Sequence, residues 1–140
     1  MFEMRQFQQG DLDSITYREG DDYSSDLDKY AANGDATTFL VNGQPIAALG
    51  CVLDYPGVAM AWALISEDAR GHGVALTKAT REVVEEWIDL YGLHRLHCLV
   101  TPGKEEYIRW IEAIGFEKES LMKHVTPDKQ DMFLYVILRV

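Results

Sequence analysis

The sequence predicts a mixed α/β (α+β) fold with a mostly antiparallel sheet, in the element order β-α-α-β-β-β-α-β-α-β-β. Three apolar, strand-like segments joined by tight turns lie between Thr37 and Ile65. A long amphipathic segment follows them and ends near Tyr91, and three more strand-like segments follow it. Because antiparallel strands precede the first long helix, this order excludes a doubly wound nucleotide-binding fold.

Length and composition indicate one globular domain, spanning residues 1–140, with 47% hydrophobic and 26% charged residues. No apolar segment approaches the ~20 residues that span a bilayer. The first residues also lack the basic start and apolar stretch of a signal peptide. We therefore expect a soluble, cytoplasmic protein with no membrane partner.

The net charge of −10 argues against a nucleic-acid partner, because phosphate binding needs clustered Lys and Arg. The charge is uneven, since residues 1–40 carry nine acids against three bases. This excess attracts a cationic partner or substrate, or it forms a solvated face that only confers solubility.

The two cysteines, Cys51 and Cys98, lie in apolar segments and are expected to be reduced core residues. His94 and His97 precede Cys98, but alternation along a strand places His97 and Cys98 on opposite faces. We expect no metal site.

The first 36 residues predict a strand at 2–7 and two short helices. The first helix covers about residues 11–18 and is capped by Asp11. The second covers about residues 25–32 and is capped by Ser24 or Ser25.

The meander that follows consists of three predicted strands, Thr37–Val41, Gln44–Leu53 and Val58–Ile65. Asn42-Gly43 predicts a type I′ hairpin turn, because both central residues of that turn need a positive φ. Pro56-Gly57 predicts a type II turn, and Gly50 is expected to mark a bulge.

The long helix after the meander ends at Gly92, with its apolar face following a 3.6-residue period. Its inward residues are Leu76, Ala79, Val83, Trp87 and Leu90. The remaining elements are a strand at Leu93–Val100, a helix at Lys104–Ile114, and strands at Phe116–Val125 and Met132–Val140. The last strand is apolar almost throughout, so we expect it to be central and buried on both faces.

The segment Arg70-Gly71-His72-Gly73-Val74-Ala75 joins the third strand of the meander to the long helix. The first amides of a helix lack intrahelical acceptors, and the helix dipole adds positive charge there. Glycines let a ligand approach the backbone, so the segment predicts a phosphate or pyrophosphate site. Taken alone, it is equally consistent with an ordinary strand-to-helix turn. It is neither a Walker loop nor a Rossmann fingerprint, because it lacks Lys-Ser/Thr and has Leu76 at the third glycine position.

In this context the whole chain resembles the GNAT superfamily of acetyl-CoA-dependent N-acetyltransferases. The family's pyrophosphate motif, Arg/Gln-x-x-Gly-x-Gly/Ala, is matched by Arg70, Gly73 and Ala75. The family's later signature, a helix ending in Gly-Phe before a strand, is matched by Gly115-Phe116.

The resemblance implies that acetyl-CoA is a co-substrate lying between the fourth and fifth strands, and that no metal is needed. Amides near Leu64 and Ile65 would pair with the pantetheine arm. The pyrophosphate would be held by the amides of Gly71, Gly73, Val74 and Ala75, with charge from Arg70 and, if protonated, His72. The last strand would pair across a homodimer, as in some family members.

The reaction implied is direct acyl transfer to an amine acceptor, which the acidic N-terminal third would suit if the acceptor is cationic. Many family members place a Tyr acid four residues before the helix-ending Gly, a position that is Ile111 here. Tyr107, one turn earlier, is the candidate acid, with a core role as its alternative. No Glu base lies within Val58–Ile65, and the nearest polar candidates are Asp54, Ser66, Glu67 and Asp68.

The ending TPGKEEYIRWIEAIGF also resembles short GNAT-like proteins of tailed phages, including internal virion proteins. This resemblance implies an alternative in which the fold is a catalytically silent structural or interaction module located in the virion, with virion proteins as partners. A third alternative is a regulatory module that binds acyl-CoA without turnover.

Overall fold

The computed structural model describes residues 1–15 and 24–140. Within them, the strands are β1 (Phe2–Gln6), β2 (Asp35–Val41), β3 (Gln44–Tyr55), β4 (Val58–Ile65), β5 (Arg95–Val100), β6 (Glu117–Met122) and β7 (Met132–Leu138). The helices are α1 (Ser24–Ala32), α2 (Gly73–Tyr91) and α3 (Glu105–Ile114), with short 3-10 helices at Leu12–Ser14 and Glu67–Ala69.

The strands form a seven-stranded sheet in the order β1-β2-β3-β4-β5-β7-β6. β4 and β5 pair in parallel, with Val58 opposite Arg95 and Met60 opposite His97. The pairings of β1 with β2, β2 with β3, β5 with β7 and β6 with β7 are antiparallel. The predicted α+β class with a mostly antiparallel sheet is confirmed.

The chain divides into two compact units, of which the first comprises Met1–Leu53 and Ala61–Leu76. Its core joins apolar residues of the first 3-10 helix, α1, β2, β3 and β4. The buried members of this cluster are Leu12, Ile15, Leu27, Ala36, Ala48, Trp62 and Leu64.

The second unit comprises Asp54–Met60 and Thr77–Val140. In it α3 packs on β7, where the Tyr135 hydroxyl donates to the Glu112 carboxylate over 3.2 Å. Arg81 of α2 donates two hydrogen bonds to the carbonyl of Ala113 near the end of α3. The expectation of one domain over residues 1–140 stays a prediction.

Both glycine turns of the meander have the predicted backbone conformation. Asn42 and Gly43 have φ values of 51° and 80°, as a type I′ turn requires, and Gly57 has a φ of 84°. The hairpin and the following turn are therefore encoded locally.

The predicted bulge at Gly50 is wrong, because Gly50 pairs regularly with Ala36. The register instead shifts between Phe39 and Leu40, which face Ala47 and Pro45 and leave Ile46 as the extra residue. Gly50 is required for packing, since a Cβ there would lie 2.7 Å from a ring carbon of Trp62.

The predicted helix cap at Asp11 is also wrong, because its side chain makes no cap hydrogen bond. The carboxylate instead accepts two hydrogen bonds from Arg5 (2.8 and 2.9 Å), one from Thr38 Oγ1 (2.7 Å) and one from the Gln8 amide (2.8 Å). Burial alone would raise the pKa of Asp11, but these hydrogen bonds outweigh it and lower that pKa. The predicted helix is reduced to Leu12–Ser14, and its last residues lie outside the described residues. The predicted cap at Ser24 or Ser25 depends on side chains that are also outside the described part.

The inward face of α2 is confirmed except at its end. Leu76, Ala79, Val83 and Trp87 are buried, but Leu90 is 65% exposed. The helical period shows which side faces the core, but it does not show where the core ends along the helix axis.

At the other end of the chain, β7 is an interior strand, as predicted, and lies between β5 and β6. The expected burial along the whole strand is wrong, because only Tyr135, Val136 and Ile137 are buried and Leu138 is 60% exposed. With a partner on each side, β7 has no edge left for pairing across a dimer, so the homodimer itself stays a prediction.

Candidate functional site

The segment after β4 is anchored at Ser66, which is fully buried. Its amide donates to the carbonyl of Ile46, the extra residue of the β3 bulge, over 2.8 Å. Its Oγ accepts from the Asp68 amide over 3.0 Å and caps the short helix at Glu67–Ala69. The bulge and the cap together fix where the chain leaves the sheet.

Backbone hydrogen bonds continue from this anchor into α2. The Arg70 amide donates to Glu67 O, the His72 amide to Ala69 O, and the Leu76 amide to His72 O. Gly71 has a φ of 89°, a conformation that costs glycine little and other residues more. Gly71 therefore turns the chain from the short helix into α2.

At its two glycines, the backbone of Gly71–Ala75 is not covered by other atoms of the described protein. A Cβ added at Gly71 or Gly73 would have no atom within 4 Å. Unlike Gly71, Gly73 needs no positive φ, so neither backbone strain nor packing within the protein requires a glycine there. Among the described residues, no acceptor faces the amides of Gly71, Val74 and Ala75. This geometry fits a ligand with several anionic oxygens.

The electrostatics at this end of α2 favour the same class of ligand. The 19-residue helix carries no acidic residue in its first turn, so its dipole is not compensated by a carboxylate there. Arg70 is exposed and His72 is half-buried beside the turn. Val74 is 88% exposed at the start of the helix.

The other predicted cofactor-binding residues lie directly before this segment. Leu64 and Ile65 end β4 and are 3% and 9% exposed. They belong to the same compact unit as residues 70–75. All eight residues predicted to bind the cofactor therefore lie in one compact unit, and their binding role stays a prediction.

Tyr107, the predicted acid, lies in α3 and in the second unit. It is half-buried, and its ring centroid is 5.5 Å from that of Trp110 at an interplanar angle of 58°. Ile111, at the position where the family often has Tyr, is buried with 4% exposure.

The polar candidates around β4 occupy different environments. Glu67 and Asp68 are exposed in the short helix, whereas Ser66 is fully buried. Asp54, near the end of β3, is 3.2 Å from His97 Nε2.

Both cysteines are free and buried, as predicted. Burial raises the pKa of each thiol to about 12, so neither is a thiolate nucleophile near neutral pH. Within residues 1–15 and 24–140, no cluster of three or more His, Cys, Asp or Glu side chains is placed to hold a metal ion. In the same residues, no helix is long and apolar enough to cross a membrane.

Sequence reasoning missed the role of Ser66 and of the Ile46 carbonyl. A serine followed by Glu67-Asp68 is a local signal for a helix cap and identifies Ser66 in retrospect. No local signal identifies Ile46, because it lies in a bulge whose position depends on pairing with β2.

No protein-family model and no curated protein matches the sequence. Solved structures match it over almost the whole chain. An IAA acetyltransferase from Bacillus cereus has a TM-score of 0.79 at 13% identity, covering 99% of this chain and 100% of that one. A GNAT family acetyltransferase from Elizabethkingia anophelis with acetyl-CoA bound has a TM-score of 0.78 at 12% identity, covering 99% and 98%. A spermidine N-acetyltransferase mutant from Vibrio cholerae has a TM-score of 0.71 at 16% identity, covering 98% and 93%.

These likenesses confirm the GNAT resemblance at the level of fold. The chain has the mixed α+β GNAT fold, with a mostly antiparallel seven-stranded sheet. The glycine-bearing segment follows β4 and opens α2, as the motif predicted.

Proposed function

We propose that the protein is an acetyl-CoA-dependent N-acetyltransferase that transfers an acetyl group to a primary amine of a small molecule or a protein. The observation that carries this proposal is the space at Gly71 and Gly73, where an added Cβ would meet no atom, beside the amides of Gly71, Val74 and Ala75, which no acceptor in the described residues faces. A structural neighbour with acetyl-CoA bound supports the choice of ligand within this fold.

In this proposal the pyrophosphate of acetyl-CoA accepts hydrogen bonds from the amides of Gly71, Gly73, Val74 and Ala75. Each such bond to a charged group contributes about 1.5–3 kcal/mol. Arg70 adds charge, and His72 adds it when protonated. The pantetheine arm pairs with backbone groups at Leu64 and Ile65.

The reaction is a direct acyl transfer. The lone pair of a neutral amine attacks the thioester carbonyl, the N–C bond forms, and the C–S bond breaks to release the thiolate. The amine loses one proton to a base, and the thiolate gains one from an acid. A backbone amide of β4 would stabilise the carbonyl oxygen as it gains charge.

We propose Tyr107 as the acid, because its phenol lies one turn before the family's Tyr position on a half-buried face of α3. A phenol is a suitable donor to a thiolate when the two are in contact, and such acids contribute about 10²–10⁴-fold in rate. A solvent water is the simplest base for an acceptor that binds as the neutral amine.

A cationic acceptor fits the charge of the N-terminal third best. Among its described acids, Glu3, Asp13 and Asp28 are exposed and attract cations. The spermidine N-acetyltransferase among the structural neighbours supports a polyamine-like acceptor. We expect the protein to act in the cytoplasm.

Calorimetric titration with acetyl-CoA, followed by CoA thiol release with a panel of amines, tests this function. We expect binding without any acceptor and thiol release with a cationic amine. No binding at millimolar acetyl-CoA would exclude both the transferase and the acyl-CoA-binding regulatory module.

The second candidate is a catalytically silent structural or interaction protein, with virion proteins as partners. The observation that favours it is the buried aliphatic side chain of Ile111 at the family's Tyr position. Acetyl-CoA binding without thiol release across the amine panel would favour a binding module over the transferase.

A further inference from the structure

Four polar side chains of the second unit form a continuous network to which the proposed acetyl transfer assigns no role. Asp54 Oδ2 is 3.2 Å from His97 Nε2, and His97 Nδ1 accepts from Arg95 Nε over 3.3 Å. Arg95 then donates two hydrogen bonds to the Glu119 carboxylate, over 2.9 and 2.7 Å. The network links the end of β3, two positions of β5, and β6.

These contacts define the charge state of His97. Nδ1 accepts a hydrogen bond, so it carries a lone pair and the imidazole is uncharged. Nε2 then holds the proton, 3.2 Å from the Asp54 carboxylate. A protonated ring has a hydrogen on each nitrogen and accepts no hydrogen bond from Arg95.

The surroundings of His97 place it between groups of opposite charge. Arg95 and His97 alternate with buried residues along β5 and share one face of that strand. The charged groups that face the imidazole are Asp54 from β3, Arg95 from β5 and Glu119 from β6. Its neighbours in β4 and β7, Met60 and Val136, are apolar.

Glu119 occupies the irregular position of β6, where pairing with β7 shifts between Lys118 and Ser120. A bulge redirects a side chain from its regular face. Arg95 holds the Glu119 carboxylate at this position with two hydrogen bonds and donates a third to His97.

We propose that His97 is a proton-operated switch. Uncharged, it joins Asp54 to Arg95. Once Nδ1 takes a proton from solvent, His97 keeps its contact with Asp54 and loses its hydrogen bond from Arg95. Arg95 then moves, and Glu119 carries this movement to the β6 bulge.

The pKa of His97 supports a switch that operates on the acidic side. Burial lowers this pKa most, and Arg95 lowers it further, while Asp54 and Glu119 raise it, with a net lowering. A folded pKa below the unfolded value means that the folded state binds fewer protons in this range. The uncharged network therefore contributes stability above the unfolded pKa, and this contribution is lost as pH falls through the folded pKa.

NMR of the imidazole nitrogens of the whole protein tests the switch. We expect the Nε2–H tautomer at neutral pH and a His97 midpoint below the ordinary value for histidine. The Glu119 and Ser120 amides should move with the His97 midpoint. An Nδ1–H tautomer, or amides of β6 that do not follow His97, would overturn the proposal.

Two variants separate the switch from a merely structural network. Arg95→Gln removes the cation beside Nδ1, so the His97 midpoint should rise, by about tenfold in proton affinity. Asp54→Asn should move the midpoint in the opposite direction. Asp54→Asn and Glu119→Gln each remove a carboxylate that faces the imidazole. If Arg95→Gln does not fold, these two variants must each lower the His97 midpoint. An unchanged midpoint in the variants that fold refutes the switch.

Discussion

The helices α2 and α3 differ in the charge of their first turns. α2 starts with Gly73, Val74 and Ala75 and has no acid in its first turn. α3 starts with Glu105 and Glu106, directly after Lys104. Both helices follow a strand, so the general arrangement does not account for the difference.

The contrast shows which helix end is available to an anion. Carboxylates in the first turn of α3 interact favourably with its dipole and repel a phosphate. The first turn of α2 has no such charge, and the backbone before it is open. The following variants exchange these properties between the two ends.

Gly73→Val should have the largest effect. Its side chain would fill the space that the pyrophosphate is proposed to occupy, displacing several charge-assisted hydrogen bonds. Loss of about 3 kcal/mol corresponds to roughly 150-fold weaker acetyl-CoA binding, measured by calorimetry. Glu105→Val, which likewise places a valine at the first residue of a helix, is the control and should leave the affinity unchanged. Equal affinity in Gly73→Val and wild type would contradict the placement of the pyrophosphate.

Tyr107→Phe tests whether α3 supplies the catalytic acid, not whether it binds an anion. If the phenol protonates the leaving thiolate, kcat should fall about 100-fold with acetyl-CoA affinity unchanged. CoA thiol release and calorimetry measure the two effects separately. Tyr30→Phe, in α1 against the core of the first unit, is a control for loss of a phenol elsewhere. An undiminished rate in Tyr107→Phe would return Tyr107 to a packing role.

Val74→Glu makes the start of α2 resemble that of α3. Val74 is 88% exposed, so the change costs no packing. The carboxylate should weaken acetyl-CoA binding about tenfold by repelling the pyrophosphate, at a cost of about 1.4 kcal/mol. Val74→Gln is the uncharged control, and high salt should reduce the difference between the two variants. Identical affinities for the two variants at low salt would rule out an anionic group near Val74.

Glu106→Val is the reverse exchange and should have the smallest effect. It removes one acid from the first turn of α3, so the free energy of unfolding should fall by about 0.3–1 kcal/mol. Denaturant titration measures this change, and acetyl-CoA affinity should stay at the wild-type value. Weaker binding would mean that α3 also contributes to the anion site.

The sequence predicted best where the structure is decided by neighbouring residues. The Asn42-Gly43 turn and the Gly71 turn need specific backbone angles, and their residue types reveal that need. The predicted fold class and the position of the glycine segment between β4 and α2 are therefore confirmed, while the role of that segment in binding stays a prediction. Gly50 shows the limit, because a side chain there would collide with the Asp35 carbonyl oxygen and the Trp62 ring, which lie on other strands.

Long-range contacts account for what the sequence did not predict. Asp11 carried a local cap signal, but Arg5 and Thr38 compete for its carboxylate once β1 and β2 have paired. The Asp54–His97 contact likewise joins residues 43 positions apart, so no spacing rule reveals it. The catalytic acid and base stay predictions for a related reason, since a motif for the ligand-binding backbone does not specify the side chains that act on the substrate.

The irregular pairing of β6 also bears on how the protein behaves at high concentration. β6 is an edge strand, and a flat edge offers free amides and carbonyls to strands of other molecules. The shift between Lys118 and Ser120 interrupts that row, and the charged residues 117–119 add repulsion between like surfaces. The edge of the second unit is therefore built to resist aggregation by strand addition.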